Sequence, residues 1–308
     1  MLLPNLRPKV VPHGPRLLPG LIVRIGGRLV AGRPWPGSAP PGSSGPAHGP
    51  GGHDACDPGP VARFRSERDF WRFASSHLRE YFPKLCSQSQ FNRRVRALEP
   101  ELRGLQRSLA EELSDPSAVY RILDTTLVPA IVRVRASRKG LFAGQATFGR
   151  SASKTEWVYG FKVALVVDPW GVITAFGLAE AASDERPIAD ALVACDRHDA
   201  YLADKGFTGV EWERCWLEEY GALVAATPYD DSRRAWPKAD RRWASGKRQI
   251  IEGVIGQLKD FFCVERHRAK TLGGLLARLS AKIAAYTCAQ RVNASLGRPL
   301  RHLADLLI

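Results

Sequence analysis

Hydrophobic residues recur at helical spacing over residues 61–113. A first run ends at Phe82, directly before Pro83, and a second run extends from Phe91 to Leu109. Apolar residues three and four positions apart share one face of a helix, and proline ends a helix because it lacks a backbone N–H. The pattern therefore predicts a small helical region, built from two helical runs, in this part of the chain.

Beyond about residue 117 the pattern changes to short runs of aromatic and β-branched residues that alternate with helical stretches. Residues 157–167 and 172–178 flank the turn sequence Asp168-Pro169-Trp170-Gly171, which predicts a β-hairpin. This order of strands and helices predicts a mixed α/β domain. We also expect strands over residues 119–123, 201–203 and 222–226, and helices over residues 184–195, 209–220, 248–262 and 271–293.

Residues 1–60 contain 13 of the 22 prolines and 12 of the 28 glycines, and Trp35 is their only aromatic residue. Such a segment buries too little apolar surface to offset the entropy lost on ordering, so we expect a disordered tail. Two explanations for the tail remain open. It is either a flexible arm that contacts DNA or the result of a start codon placed too far upstream, and we favour the second.

The chain carries 45 Lys and Arg against 31 Asp and Glu, which gives a net charge of +14. A basic balance favours a polyanionic partner, because Lys and Arg release counterions when they neutralise phosphates. Composition alone fits a soluble basic protein equally well. Residues 61–108 hold eleven Lys and Arg against five Asp and Glu. The helical region is therefore either a DNA-binding domain, which we favour, or a bundle with a solvated basic surface.

The six cysteines are scattered, and no two of them form a CxxC pair or stand beside a histidine at zinc-finger spacing. This distribution argues against a zinc site and a disulfide framework, and it suits a reducing cytoplasm. No apolar run approaches the length that crosses a bilayer, and Pro and Gly interrupt the apolar stretch at residues 17–23. We therefore expect a cytoplasmic protein without a signal peptide.

Three acidic residues stand out by their context. Asp124 and Asp204 each follow a predicted apolar strand, where open α/β sheets tend to carry their chemistry. Glu252 lies on a predicted helix, where it shares a narrow face with Arg248 and Lys259 beside a broad apolar stripe. Plainer explanations exist as well. The aspartates would serve as turn or cap residues, and Glu252 as half of an ion pair with Arg248 one turn away.

Segments around these acids resemble the DDE transposases of bacterial insertion sequences. Asp124-Thr125-Thr126 is similar to the family's first aspartate motif. Asp204-Lys205-Gly206-Phe207 is similar to its second, with phenylalanine where tyrosine is usual. The run W-V-Y-G-F-K at residues 157–162 resembles the start of the family's second strand. Residues 81–85 and 90–94 resemble the helical N-terminal region of one branch.

The late helix adds a third motif to the resemblance. Arg248, Glu252 and Lys259 fit the family pattern R-x3-E-x6-K, although Ser245 stands where many relatives have a tyrosine. Each motif alone is a weak signal. Their occurrence in the family's order, 80 residues from the first acid to the second and 48 from the second to the third, is a strong one.

The resemblance implies metal-dependent cleavage of DNA at the ends of an insertion sequence, followed by strand transfer into target DNA. Asp124, Asp204 and Glu252 would be the catalytic residues and would hold two Mg²⁺ or Mn²⁺ ions, with Asp124 bridging both. The implied organisation is a tail over residues 1–60, a helical DNA-binding domain over residues 61–115, and a ribonuclease H-like catalytic domain with C-terminal helices over residues 116–308.

The implied partner is DNA, both the terminal inverted repeats of the element and the target, bound by a homodimer associated with the bacterial nucleoid. Basic side chains near the expected site would contact that DNA. For any single basic residue in the expected loops between the strands, a solvated side chain is the simpler explanation. The expected contacts are Arg248, Lys259, Lys162, Arg133, Arg135, Arg138, Lys139 and Lys154.

Two other functions remain open. One is another ribonuclease H-like nuclease, which would use the same acids and metal but would cleave DNA without joining it. The other is a non-catalytic DNA-binding remnant of a transposase. The three acids argue against a remnant, whereas the unusual residues 1–60 fit one.

Overall fold

The computed structural model describes residues 64, 66–131, 140–151, 156–229 and 236–306. Within these ranges it has six strands and seven α-helices. The strands are β1 (Arg121–Pro129), β2 (Thr147–Ser151), β3 (Glu156–Val167), β4 (Ile173–Glu180), β5 (Ala200–Ala203) and β6 (Leu223–Ala226). The helices are α1 (Glu67–His77), α2 (Gln88–Ala97), α3 (Glu99–Leu113), α4 (Glu185–Asp196), α5 (Val210–Tyr220), α6 (Lys238–Asp260) and α7 (Leu272–Ser295).

The strands form one mixed sheet in the order β2-β3-β1-β5-β6, with β4 also paired with β3. β1 is central, because it runs antiparallel to β3 on one side and parallel to β5 on the other. The parallel pairing stops at Leu123 and Ala203, whereas the antiparallel pairing continues to Pro129 and Gly160. Beyond Leu123, β1 is therefore still paired with β3 but no longer with β5.

Both faces of the sheet are buried. Successive side chains of a strand point to opposite sides, so neighbouring residues of β1 belong to different cores. On one face Leu123 belongs to a core that includes Ile188 of α4 and Trp216 of α5. On the other face Ile122 belongs to a core that includes Ile251 of α6 and side chains of α7. Helices on both faces of a mixed sheet confirm the α/β ribonuclease H-like class expected from the sequence.

The expected hairpin and most expected helices are present. The bounds of β3, β4, α4, α5 and α7 lie within two residues of those predicted from hydrophobic periodicity. In α6 the predicted apolar stripe is the buried one, since Ile251, Val254 and Leu258 are each at most 2% exposed. Periodicity succeeded in these elements because their buried faces are made almost entirely of apolar residues.

Five features of the elements differ from expectation. The first helical run ends at His77 as α1 and not at Phe82. β1 continues to Pro129, so Asp124 lies inside the strand and not at its end, because the next residues pair with β3. β2 was not expected. α6 begins at Lys238, ten residues early, since its first turns are polar and carry no apolar stripe. The second helical run is two helices, with Pro100 in the first turn of α3.

The N-terminal helices contact the sheet and its C-terminal helix. The Gln106 side-chain amide of α3 donates to the carbonyl oxygen of Ile173 at 2.6 Å. Arg291 of α7 donates to Glu112 of α3 at 2.7 Å. The domain boundary at residues 115 and 116 stays a prediction. No helix in the described ranges combines the length and apolar character that a membrane span requires.

Candidate active site

The register of two parallel strands makes Asp124 and Asp204 neighbours. Leu123 of β1 pairs with Ala203, the last residue of β5, so the next residue of each segment is an aspartate. Asp124 remains in β1, whereas Asp204 is the N-cap of a short 3-10 turn and accepts a hydrogen bond from the backbone N–H of Lys205 at 2.7 Å. The two carboxylates therefore start from adjacent backbone positions in the sheet.

One guanidinium joins the two carboxylates. Arg248 of α6 donates through Nη1 to Asp204 Oδ1 at 3.0 Å and through Nη2 to Asp124 Oδ2 at 3.5 Å. The Arg248 side chain is 14% exposed and that of Asp124 is 17% exposed, so this contact is largely screened from water. The two carboxylates would repel each other, and Arg248 supplies the positive charge that offsets the repulsion.

Burial dominates the acidity of Asp124. Removal from water is the main cause that raises the pKa of its carboxyl group, and the negative charges of Asp204 and Glu185 add to the rise, so that the pKa changes from 3.8 to about 6. Arg248 and the backbone N–H of Thr125 lower the pKa and limit the rise. Shifted pKa values of this kind are common at functional sites.

The three motif residues of α6 lie on the same side of the sheet, but they differ in exposure and in their partners. Glu252 lies one turn beyond Arg248 on α6, and its side chain is exposed. Arg248 pairs with the two aspartates, and the simple Arg248–Glu252 ion pair does not form. Lys259 pairs with Glu265 at 2.9 Å, beyond the end of the helix.

The donor set suits a divalent cation at Asp124 and Asp204. Their carboxylate oxygens already converge on a positive group, and Mg²⁺ and Mn²⁺ prefer hard oxygen ligands. Within the described ranges no three His, Cys, Asp or Glu side chains are close enough to share a metal ion, so Glu252 does not complete a set with the two aspartates. Mg²⁺ is often held by one or two carboxylates, with water and substrate phosphate completing the shell.

Another acid, which the sequence did not single out, lies beside the site. Glu185, in the first turn of α4, accepts a hydrogen bond from the Thr125 hydroxyl at 2.7 Å and lies 3.4 Å from the Lys162 ammonium. Lys162 also donates to the carbonyl oxygen of Ser183 at 2.8 Å. Its ammonium is thus held inside the protein on the α4 face. In the sequence Glu185 looks like an ordinary acid at a helix start, so only the fold reveals it.

The other expected DNA contacts cannot be placed. They fall within residues 132–139 and 152–155, outside the described part of the chain. They are Arg133, Arg135, Arg138, Lys139 and Lys154.

Comparison with known proteins gives one family. Residues 115–272 match the transposase DDE domain, a segment that begins before β1 and ends at the start of α7. Comparison with curated proteins and with solved structures gave no match. The matched segment is just over half of the 308 residues and contains Asp124, Asp204 and Glu252. The chain therefore belongs to the transposase DDE-domain family.

Proposed function

We propose that this protein is an insertion-sequence transposase that cleaves DNA at the ends of its element and joins the freed ends to target DNA. The observation that carries the proposal is that Asp124 and Asp204 directly follow the last paired residues of two adjacent parallel strands, and that Arg248 of α6 contacts both carboxylates. DNA is the substrate, and the active form on DNA is a homodimer.

Asp124 and Asp204 would hold divalent metal ions, Mg²⁺ or Mn²⁺, and Glu252 would be the third ligand after a movement of its exposed side chain toward them. Bound ions of this kind activate an attacking oxygen and stabilise the oxyanion that leaves. The carboxylates would hold the ions in place, and the largely buried surroundings of Asp124 screen its carboxylate from bulk water.

Arg248 has two roles in this proposal. Without DNA it offsets the repulsion between the two aspartates by one contact to each carboxylate. A DNA phosphate would offer the guanidinium a bidentate anionic partner in place of these two single contacts. Arg248 would then hold the backbone near the reacting bond, while Lys259, which is 25% exposed, would contact a neighbouring phosphate.

The proposal is tested with a supercoiled plasmid that carries the gene and its flanking DNA, incubated with the full chain and Mg²⁺. Asp124→Asn, Asp204→Asn and Glu252→Gln should each bind this DNA with unchanged affinity and lose cleavage and joining by at least about 1000-fold. Asp240→Asn is the matched control, since Asp240 is an exposed acid in the first turn of α6.

The outcomes separate the alternatives. Full strand transfer by any of the three variants would remove that residue from the catalytic set. Cleavage without joining by the wild-type protein would indicate a nuclease instead. DNA binding without any cleavage would indicate a non-catalytic remnant.

A further inference from the structure

The Glu185 carboxylate touches three separate segments near the two aspartates. Its Oε1 accepts from Thr125 of β1 at 2.7 Å and lies 3.4 Å from the Lys162 ammonium of β3. Its Oε2 lies against Gly206, in the turn that follows Asp204. A single side chain that is 25% exposed therefore links two strands and a turn.

Gly206 makes room for this carboxylate. A Cβ atom on Gly206 would overlap the Glu185 Oε2 atom. Gly206 is not among the described glycines with a positive φ, so its backbone conformation is open to other residues. A residue with a Cβ atom at position 206 would therefore push the Glu185 carboxylate out of its present position.

Glu185 approaches from the face of the sheet opposite the bound guanidinium. Leu123 belongs to the core on the α4 side and Ile122 to the core on the α6 side. Because side chains alternate along a strand, Thr125 points toward α4 and Asp124 points toward α6. Glu185 thus supports the backbone on which the aspartates are mounted, while Arg248 contacts their carboxylates from the other face.

We propose that Glu185 is a positioning residue of this active site, which ties the strand bearing Asp124 to the turn after Asp204 and so fixes the separation of the two carboxylates. The catalytic part of this inference rests on the proposed function, whereas the structural link does not. A favourable interaction with the helix N-terminus alone would explain a glutamate at this position. It would not explain the contacts to Thr125, Lys162 and Gly206.

The structural link is tested by hydrogen exchange of the full chain without DNA. The backbone N–H groups of Phe207 and Thr208 donate within the turn. They should exchange about tenfold faster in Glu185→Ala than in the wild-type protein, because local opening becomes easier. Gly206→Ala should have the same effect, and the double variant should add little to either. Glu211→Ala is the control, an exposed acid in the first turn of the neighbouring helix α5.

The catalytic part is tested by titrating Mg²⁺ in the plasmid cleavage assay. Glu185→Ala should cleave about 10–100-fold more slowly and need more Mg²⁺ for half-maximal rate, with unchanged DNA affinity, because residues behind metal ligands act on ligand geometry. Glu185→Gln should be affected less, since its amide oxygen still accepts from Thr125. A role in stability alone would lower the melting temperature without changing the Mg²⁺ requirement.

Each result decides a different point. Unchanged exchange in Glu185→Ala, or strictly additive effects of Glu185→Ala and Gly206→Ala, would overturn the structural link. Faster exchange with an unchanged Mg²⁺ requirement would overturn the positioning role. Absence of cleavage by the wild-type protein would overturn the proposed function and leave the exchange result to decide the link.

Discussion

Arg248 sits where two acidic side chains would otherwise repel each other. Its contacts with Asp124 and Asp204 are largely buried on the Asp124 side, whereas Asp204 is 41% exposed. Removing one partner of a buried pair costs more than the pair contributes, because the remaining charge loses its compensation. The cost is reduced here by the water that reaches Asp204.

Arg248→Gln should lower the free energy of unfolding by about 1–3 kcal/mol at neutral pH without divalent ions. The substitution should also raise the pKa of Asp124 further, since Arg248 lowers it in the wild-type protein. Mg²⁺ should stabilise the variant more than the wild type, because no guanidinium competes for the carboxylates. Urea unfolding with and without Mg²⁺ measures the loss in unfolding free energy and the stabilisation by Mg²⁺. An equal loss in Arg242→Gln, an exposed position of α6, would contradict this account.

His267 gives the fold an acid-sensitive contact. Its ring is 2% exposed, donates from Nε2 to the carbonyl oxygen of Pro129 at 3.0 Å, and accepts at Nδ1 from the N–H of Ala269 at 3.0 Å. Burial lowers the pKa of His267 from 6.5 to about 4. The unfolded chain therefore binds a proton more readily than the folded one between these two values.

Stability from His267 should be complete above pH 6.5 and should be lost as the pH falls toward 4, by roughly 3 kcal/mol. Asp124 acts in the opposite direction over part of this window, because its folded pKa is raised. The effect is therefore measured as the difference between wild type and His267→Gln in unfolding free energy against pH. The exposed His77→Gln should retain the wild-type slope. A His267→Gln slope equal to that of the wild type would refute the effect.

At the scale of elements, the close pairing of β1 and β3 explains one position of the W-V-Y-G-F-K run. Gly160 pairs with Pro129, and a Cβ atom there would overlap the backbone of Val128 and Ala130. Backbone cannot move aside as a flexible side chain can. The glycine is thus a packing requirement of the central strands.

Gly160→Ala should lower the unfolding free energy by about 1–3 kcal/mol, since overpacking forces backbone shifts. Gly246→Ala is the matched control. A Cβ atom on Gly246, inside helix α6, meets nothing within 4 Å. This change should stabilise the protein by about 0.5–1 kcal/mol, because alanine is the better helix former. Urea unfolding of both variants should give opposite signs, and a neutral Gly160→Ala would show that the strands can separate without cost.

Local pattern predicted the helices that bury an apolar face, the hairpin, and Asp204 at a strand end. It did not predict that β1 continues past Asp124. The position of this carboxylate inside a strand depends on the pairing of β1 with β3 and on the contact with Arg248, which is 124 residues away in sequence. The sequence also did not predict a role for Glu185, because this role depends on a contact between residues far apart in the chain. Its contact with Thr125 spans 60 residues and leaves no periodic signal in the sequence.

At the scale of the whole molecule, the transposase DDE domain accounts for the sheet but not for everything packed on it. The family match ends at residue 272, whereas α7 and the N-terminal helices lie outside it and pack against each other. Glu99 of α3 accepts from Ser280 of α7 at 2.8 Å, and Arg278 of α7 pairs with Glu67 of α1 at 3.0 Å. Helices α1–α3 are therefore anchored to α7, and α3 also contacts the sheet directly through Gln106.

The net charge of +14 should make DNA binding dependent on salt, and we expect the basic segment that follows β1 in the sequence to contribute. That segment comes soon after the strand that carries Asp124, includes Arg133 and Arg135, and lies outside the described residues. Each Lys or Arg that neutralises a phosphate contributes about 0.9 to the slope of log K against log salt for duplex DNA. The double variant Arg133→Gln/Arg135→Gln should thus bind a fluorescent duplex more weakly at low salt and with a flatter slope.

The matched control removes the same charge elsewhere. Arg107 and Arg291 pair with Glu111 and Glu112 at 2.9 and 2.7 Å, so their charges are already balanced by the protein. Arg107→Gln/Arg291→Gln should leave the slope unchanged, because these charges release few counterions on binding. Fluorescence anisotropy over a range of salt concentrations measures both slopes. An equal flattening in the two double variants would mean that DNA binding depends only on the overall charge. An unchanged slope in Arg133→Gln/Arg135→Gln would exclude these two arginines from the contacts with DNA.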